Sequence, residues 1–177
     1  MATDYARELL RRQFLEMSRN PPEGVSVGLG DDENIFNWEI MLVGPPDTLY
    51  EGGFFKCVLD FPPNFPNMPP KMTFKSEMWH PNGMKGRILL PVYPNGVVCI
   101  SILHPPGEDH LNQQETADER WRPILGVESI LVSVISMLSD PNDDSPANID
   151  AAVEWRNDKD AFKKHCRRIV RKSQEDI

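Results

Sequence analysis

Between Val25 and Lys75 the chain carries four strand-length runs, residues 25–29, 35–43, 54–61 and 71–75, with only turn-rich segments between them. Consecutive, closely spaced strands favour an antiparallel meander. The punctuation is strong: Asp31-Asp32-Glu33-Asn34 is a turn and Gly44-Pro45-Pro46-Asp47 closes the second run. Phe61-Pro62-Pro63-Asn64-Phe65-Pro66 must be loop, because proline cannot supply ladder donors. Within the third run, Phe55, Cys57, Leu59 and Phe61 share one face by the two-residue period of a strand.

Helical patterns flank this block. Ala6, Leu10, Phe14 and Met17 recur on one face of residues 4–18, and Asn20-Pro21-Pro22-Glu23-Gly24 stops that helix. Helices return at 127–138, where Val127, Ile130, Leu131, Val134 and Leu138 line one side, then at 147–155 and 158–172. The last has Phe162, Cys166, Ile169 and Val170 inward. One leading helix, then strands, then helices indicate an α+β fold. The length of 177 residues suits a single domain, 1–177. From His80 to Arg122 no periodicity stands out, and so long a stretch in a compact domain marks a functional segment.

Three widely spaced cysteines give neither a disulfide framework nor a Cys-x-x-Cys zinc pattern. A reducing cytoplasm or nucleus is the expected compartment. No apolar run approaches membrane-spanning length, and no signal peptide or lipidation motif is visible, so no direct membrane insertion is expected. A net charge of −8 argues against nucleic acid as a ligand. The charge is unevenly placed. Residues 105–119 hold five acids and no Lys or Arg, residues 140–150 four more acids, and residues 159–172 seven bases. Each run reads equally as solvated surface or as a docking face.

Cys99 lies among Val97, Val98, Ile100 and Ile102, with acids following closely. Nothing obvious there would stabilise a thiolate, which is a poor setting for a protease-type nucleophile. It suits a carrier cysteine that receives an activated acyl group by exchange and passes it on. Cys57 and Cys166 fall on apolar faces and read as core. His80 reads as a structural ring in a tight loop rather than a general base. His104 and His110 stand near Cys99, but Cys-x4-His without a second ligand pair does not make a zinc site, and no metal is expected. Asn82 is a neutral amide donor able to stabilise an oxyanion or brace its loop.

Seven segments stand in order: Asn20-Pro21-Pro22-Glu23-Gly24, Trp38-Glu39-Ile40-Met41-Leu42-Val43-Gly44-Pro45, Tyr50-Glu51-Gly52-Gly53-Phe54-Phe55, Pro69-Pro70-Lys71, His80-Pro81-Asn82, Cys99-Ile100-Ser101-Ile102-Leu103 and Asp140-Pro141-Asn142. Together they make residues 9–173 resemble the ubiquitin-conjugating enzymes. The acidic segment after Cys99 and Ser145-Pro146-Ala147-Asn148-Ile149-Asp150 resemble the acidic-loop G-type branch. The resemblance implies that Cys99 carries ubiquitin as a thioester and that Asn82 supports transfer to lysine. It implies contact with the activating enzyme and a RING-type ubiquitin ligase through Arg7, Arg11 and Arg12, and through Pro63, Phe65, Asn67, Arg122 and Pro123. Asn67 stands where some members place a phenylalanine, and Ser145 where many place an acid near the incoming lysine. The acidic loop, with Glu108, Asp109, Glu115, Asp118 and Glu119, would supply that charge. No cofactor is expected on this chain, since ATP is used by the activating enzyme. The branch is associated with lysine-48-linked, degradative chains. A monomer is expected, brought to the endoplasmic reticulum surface, if at all, by a partner.

One departure is sharp. Residues 83–91, Gly-Met-Lys-Gly-Arg-Ile-Leu-Leu-Pro, separate Asn82 from the Cys99 segment, and deleting them restores family spacing. They read either as a lineage insertion or as a retained in-frame intron. An active conjugating enzyme and an inactive ubiquitin- or ligase-binding scaffold are the two functional readings this leaves. A cysteine hydrolase is disfavoured, because no His/Asp pair has a recognisable context.

Overall fold

The computed structural model describes residues 2–30, 33–80, 96–108, 115–140 and 149–175. The elements run α1 (Ala2–Arg19), β1 (Val25–Leu29), β2 (Asn37–Val43), β3 (Phe54–Asp60), β4 (Lys71–Phe74), a single 3-10 turn (Ser101–Leu103), α2 (Val127–Ser139), α3 (Ile149–Asn157) and α4 (Lys159–Glu175). The strands form one antiparallel sheet in the order β1-β2-β3-β4, the meander expected from their spacing.

Alternation along the strands decides which face is core. Trp38, Ile40 and Leu42 of β2 are buried, as are Phe55, Cys57 and Leu59 of β3. Register sets Trp38 opposite Leu59, Ile40 opposite Cys57 and Leu42 opposite Phe55, so the apolar sets coincide across the pair. Met72 and Phe74 of β4 extend the layer opposite Leu59 and Cys57. α1 lays Ala6, Leu10 and Met17 into the core, and α2 adds Ile130, Leu131, Val134 and Leu138. A line of rings joins these layers: Phe14 meets Trp38 edge-on at 5.1 Å, Trp38 meets Phe61, Phe61 meets Phe65, and Phe65 meets Trp121.

The element ends differ modestly from the sequence reading. β2 starts at Asn37 because Ile35 and Phe36 belong to a turn, in which Phe36 N donates to Asn34 Oδ1 and Asn37 N to Asn34 O. α4 runs on to Glu175, and its end is tied to the sheet side: Ser173 Oγ accepts from Phe54 N, and Gln174 Nε2 donates to Gly52 O. The N-terminus of α2 has a glycine at its cap position, and the α1 side chain Gln13 accepts from Val127 N instead. No described helix is long and apolar enough to cross a membrane.

Candidate active site

Gly96, Val97 and Val98 place Cys99. This segment lies along the free side of β4: Phe74 N donates to Gly96 O, Val98 N donates to Met72 O, and Val97 bridges Thr73. Gly96 has φ +83°, and a Cβ there would sit 2.1 Å from the Phe74 carbonyl oxygen, so glycine is required by both conformation and space. Val98 is buried and anchors the segment. Cys99 then emerges half-buried, whereas Cys57 and Cys166 are enclosed.

The chain turns back at once. The 3-10 turn closes through Leu103 N to Ile100 O and His104 N to Ser101 O. This brings His104 Nε2 to 2.9 Å from Cys99 Sγ. On the other side of the ring, Nδ1 lies 2.7 and 2.9 Å from the two Glu115 oxygens. Arg120 Nε donates to Glu115 Oε2 at 3.1 Å, and Arg120 Nη1 donates to the Gly107 carbonyl. His104, Glu115 and Arg120 are all buried. Trp121 locks the far end, donating from its backbone to His104 O and from its indole to Pro66 O.

Glu115 therefore departs from the acidic segment in which the sequence placed it. Glu108, Asp118 and Glu119 are exposed, while Glu115 faces inward and is matched by Arg120. A buried carboxylate with two charge-assisted partners is held, not offered to solvent. The Cys-x4-His spacing was visible in the sequence, but the third member was hidden in a run of acids. Among the described residues no group of three or more potential ligands could hold a metal.

Burial, with the nearby Glu115 charge adding to it, pushes the Cys99 thiol up to about 11. The Cys166 thiol is raised to about 12 and that of Cys57 further, both first by burial. At neutral pH all three are thiols.

His80 is the structural ring that the sequence suggested. It is enclosed, its Nε2 donates to the Met137 carbonyl, and Tyr50 stacks on it with centroids 5.5 Å apart. Next to it, Trp79 donates its indole to Glu154 and stacks on His165 at 3.9 Å, pinning the strand-to-site connection to α3 and α4. Asn82, Asp109, Ser145 and the inserted residues 83–91 lie outside the described residues.

The remaining candidates divide by exposure. Arg7, Arg11 and Arg12 are exposed on α1, with Arg7 over the Phe36 ring. Pro63, Asn67, Arg122 and Pro123 are exposed beside Ile124, which is 88% accessible. Phe65 differs from these in being buried: only 1% of it is accessible, because its ring fills the space between Phe61 and Trp121. It supports the neighbouring loop surface from beneath.

The ubiquitin-conjugating enzyme family matches residues 9–170. The chain is 56% identical over 177 residues to ubiquitin-conjugating enzyme E2 15 of Schizosaccharomyces pombe, covering all of both. It is 46% identical over 168 residues to human ubiquitin-conjugating enzyme E2 G2, covering 95% of this chain and 96% of that one. Among solved structures, human ubiquitin-conjugating enzyme E2 G1 superposes with a TM-score of 0.62 at 51% identity, over 77% of this chain and 96% of that one.

Proposed function

The chain belongs to the ubiquitin-conjugating enzyme family, which transfers ubiquitin through a cysteine thioester, and from that membership we propose that Cys99 is the carrier residue. One observation supports this assignment above the others: of the three cysteines, Cys99 alone is partly accessible. Its thiol accepts ubiquitin from the activating enzyme by thioester exchange. A lysine amine, presented with a ligase, then attacks the same carbonyl carbon and releases the thiol.

Asn82 is proposed as the amide that supports the second step. The arginines of α1 are proposed as the face that meets the activating enzyme. The loops carrying Pro63, Asn67, Arg122 and Pro123 are proposed as the face toward a RING-type ligase, supported by their exposure around Ile124. The acidic-loop character supports assembly of degradative chains, and the free cysteines support a cytoplasmic or nuclear compartment; the working form is proposed to be a monomer.

Incubation with activating enzyme, ATP and ubiquitin tests the reading. The wild type should form an adduct that reducing agent removes. Cys99→Ser should form one that reducing agent does not remove, since an oxyester resists thiols. A wild type that stays uncharged, or charging lost in Cys57→Ser or Cys166→Ser and kept in Cys99→Ser, would sink the assignment. The uncharged outcome would leave a binding scaffold.

A further inference from the structure

The thiol that must attack is a poor nucleophile as it stands, and the fold surrounds it with a way to improve it. Carboxylate Glu115 can only accept hydrogen bonds, so the His104 hydrogen lies on Nδ1 and points at Glu115. In the neutral imidazole Nε2 then presents its lone pair to Cys99 Sγ at 2.9 Å, and the thiol hydrogen fills the contact. Arg120 holds Glu115 from behind. Of the titratable groups, Cys99 and Glu115 touch the ring directly, and Arg120 acts on it through Glu115. The order nucleophile, imidazole, carboxylate is that of an assisted nucleophile in which the base is itself oriented by a third group.

We propose that His104 is a catalytic residue of the charging step: it takes the Cys99 proton as sulfur attacks, with Glu115 and Arg120 acting as positioning residues. The Cys99 S–H bond breaks and its proton passes to Nε2. Sulfur bonds to the carbonyl carbon of the thioester that the activating enzyme carries. The bond from that carbon to the activating enzyme's sulfur breaks, and the departing thiolate takes the proton from the imidazolium. No oxidation state changes. The inference rests on Cys99 being the carrier.

The arrangement explains why a raised thiol pKa need not prevent charging. At neutral pH a thiol titrating near 11 is a thiolate only about one part in ten thousand, each pH unit below the pKa costing tenfold. A base in contact with the hydrogen removes that penalty during the attack, an effect typically worth about 10²–10⁴-fold. The Glu115 charge then has a use: it disfavours a resting thiolate, yet it stabilises the imidazolium formed in the transition state.

The test is single-turnover charging from preloaded activating enzyme between pH 6.5 and 9, for the wild type, His104→Gln and Glu115→Gln. His104→Gln keeps a polar side chain but cannot take a proton. It should charge about 10²-fold more slowly near pH 7. It can react only through the thiolate, so its deficit should shrink about tenfold per pH unit, the activating enzyme's own pH dependence cancelling in the ratio. Glu115→Gln should show a smaller deficit with the same direction. The concentration of this protein giving half-maximal rate should not change. A deficit that is constant with pH in both variants would make the network structural and overturn the proposal, as would rates equal to wild type. Recovery at high pH also shows that the variant is folded. Failure of the wild type itself to charge would instead defeat the carrier assignment.

Discussion

The His80 ring is fully enclosed, and burial lowers its pKa from 6.5 to about 4 against the opposing effect of the Met137 carbonyl. The folded protein therefore holds it neutral, whereas the unfolded chain protonates it near 6.5. Between those values the unfolded state binds more protons, so stability is complete above pH 6.5 and is lost as pH falls toward 4. The shift corresponds to about 3 kcal/mol over that window. Melting temperature measured from pH 7 to pH 4 should fall for the wild type and fall less steeply for His80→Gln. The variant should start lower at pH 7, because the Tyr50 stack is lost. Parallel curves would mean that another group controls the acid limb. The role of His80 was legible in the sequence because it stands in a tight loop, with Pro81 beside it to fix the turn. That of Glu115 was not, because the pattern of a charged residue does not record which way one carboxylate turns. The burial of Phe65 was hidden for a related reason: its loop is exposed, but the ring that holds the loop down is core.

At the scale of elements, the strands were the most legible part. Their two-residue alternation is intrinsic to a sheet with one buried face, and Phe55, Cys57 and Leu59, which it selected on the third strand, meet buried partners on β2, as Cys57 and Leu59 do on β4. The described parts of 96–122 were illegible because their order comes from isolated contacts rather than from a repeat: a bridge to β4, one 3-10 turn, and the Trp121 bonds. Gly96 is the point where that order can be tested. Both Gly96 and Gly107 have positive φ, at 83° and 106°, but only at Gly96 would a Cβ meet backbone, 2.1 Å from Phe74 O. Gly96→Ala should cost more than the roughly 1 kcal/mol expected of conformational strain alone, because β4 or the Cys99 segment must shift. Gly107→Ala should cost only the strain. Thermal unfolding and the charging rate should both drop further for the first variant than for the second. Equal losses would show that the 96–98 segment moves freely and does not fix Cys99.

Across the whole molecule, a protein of net charge −8 concentrates bases on two elements, the exposed side of α1 and α4, with others scattered over the sheet and loops. The sequence foresaw both clusters, since charge patterning needs no tertiary information. On α4, part of the charge is already committed: Arg168 and Lys172 both bind Glu77. On α1, Arg11 makes only a loose 4.0 Å contact with Glu8, and Arg7 covers Phe36. Arg7 stands one turn from the adjacent pair Arg11 and Arg12, and all three reach solvent, which suits them to steer an acidic partner on approach. Steering acts mainly on association rate and is screened by salt, with a range of about 8 Å at physiological ionic strength. Arg11→Glu combined with Arg12→Glu, leaving the Arg7–Phe36 contact intact, should therefore slow charging at subsaturating concentrations. The deficit should be on the order of tenfold in low salt and should narrow as salt is added. The rate at saturation and the melting temperature should stay close to wild type, because both side chains are exposed. A deficit that persists at saturation would place these arginines in the transfer step, and unchanged rates at every salt concentration would leave this side of α1 as ordinary solvated surface.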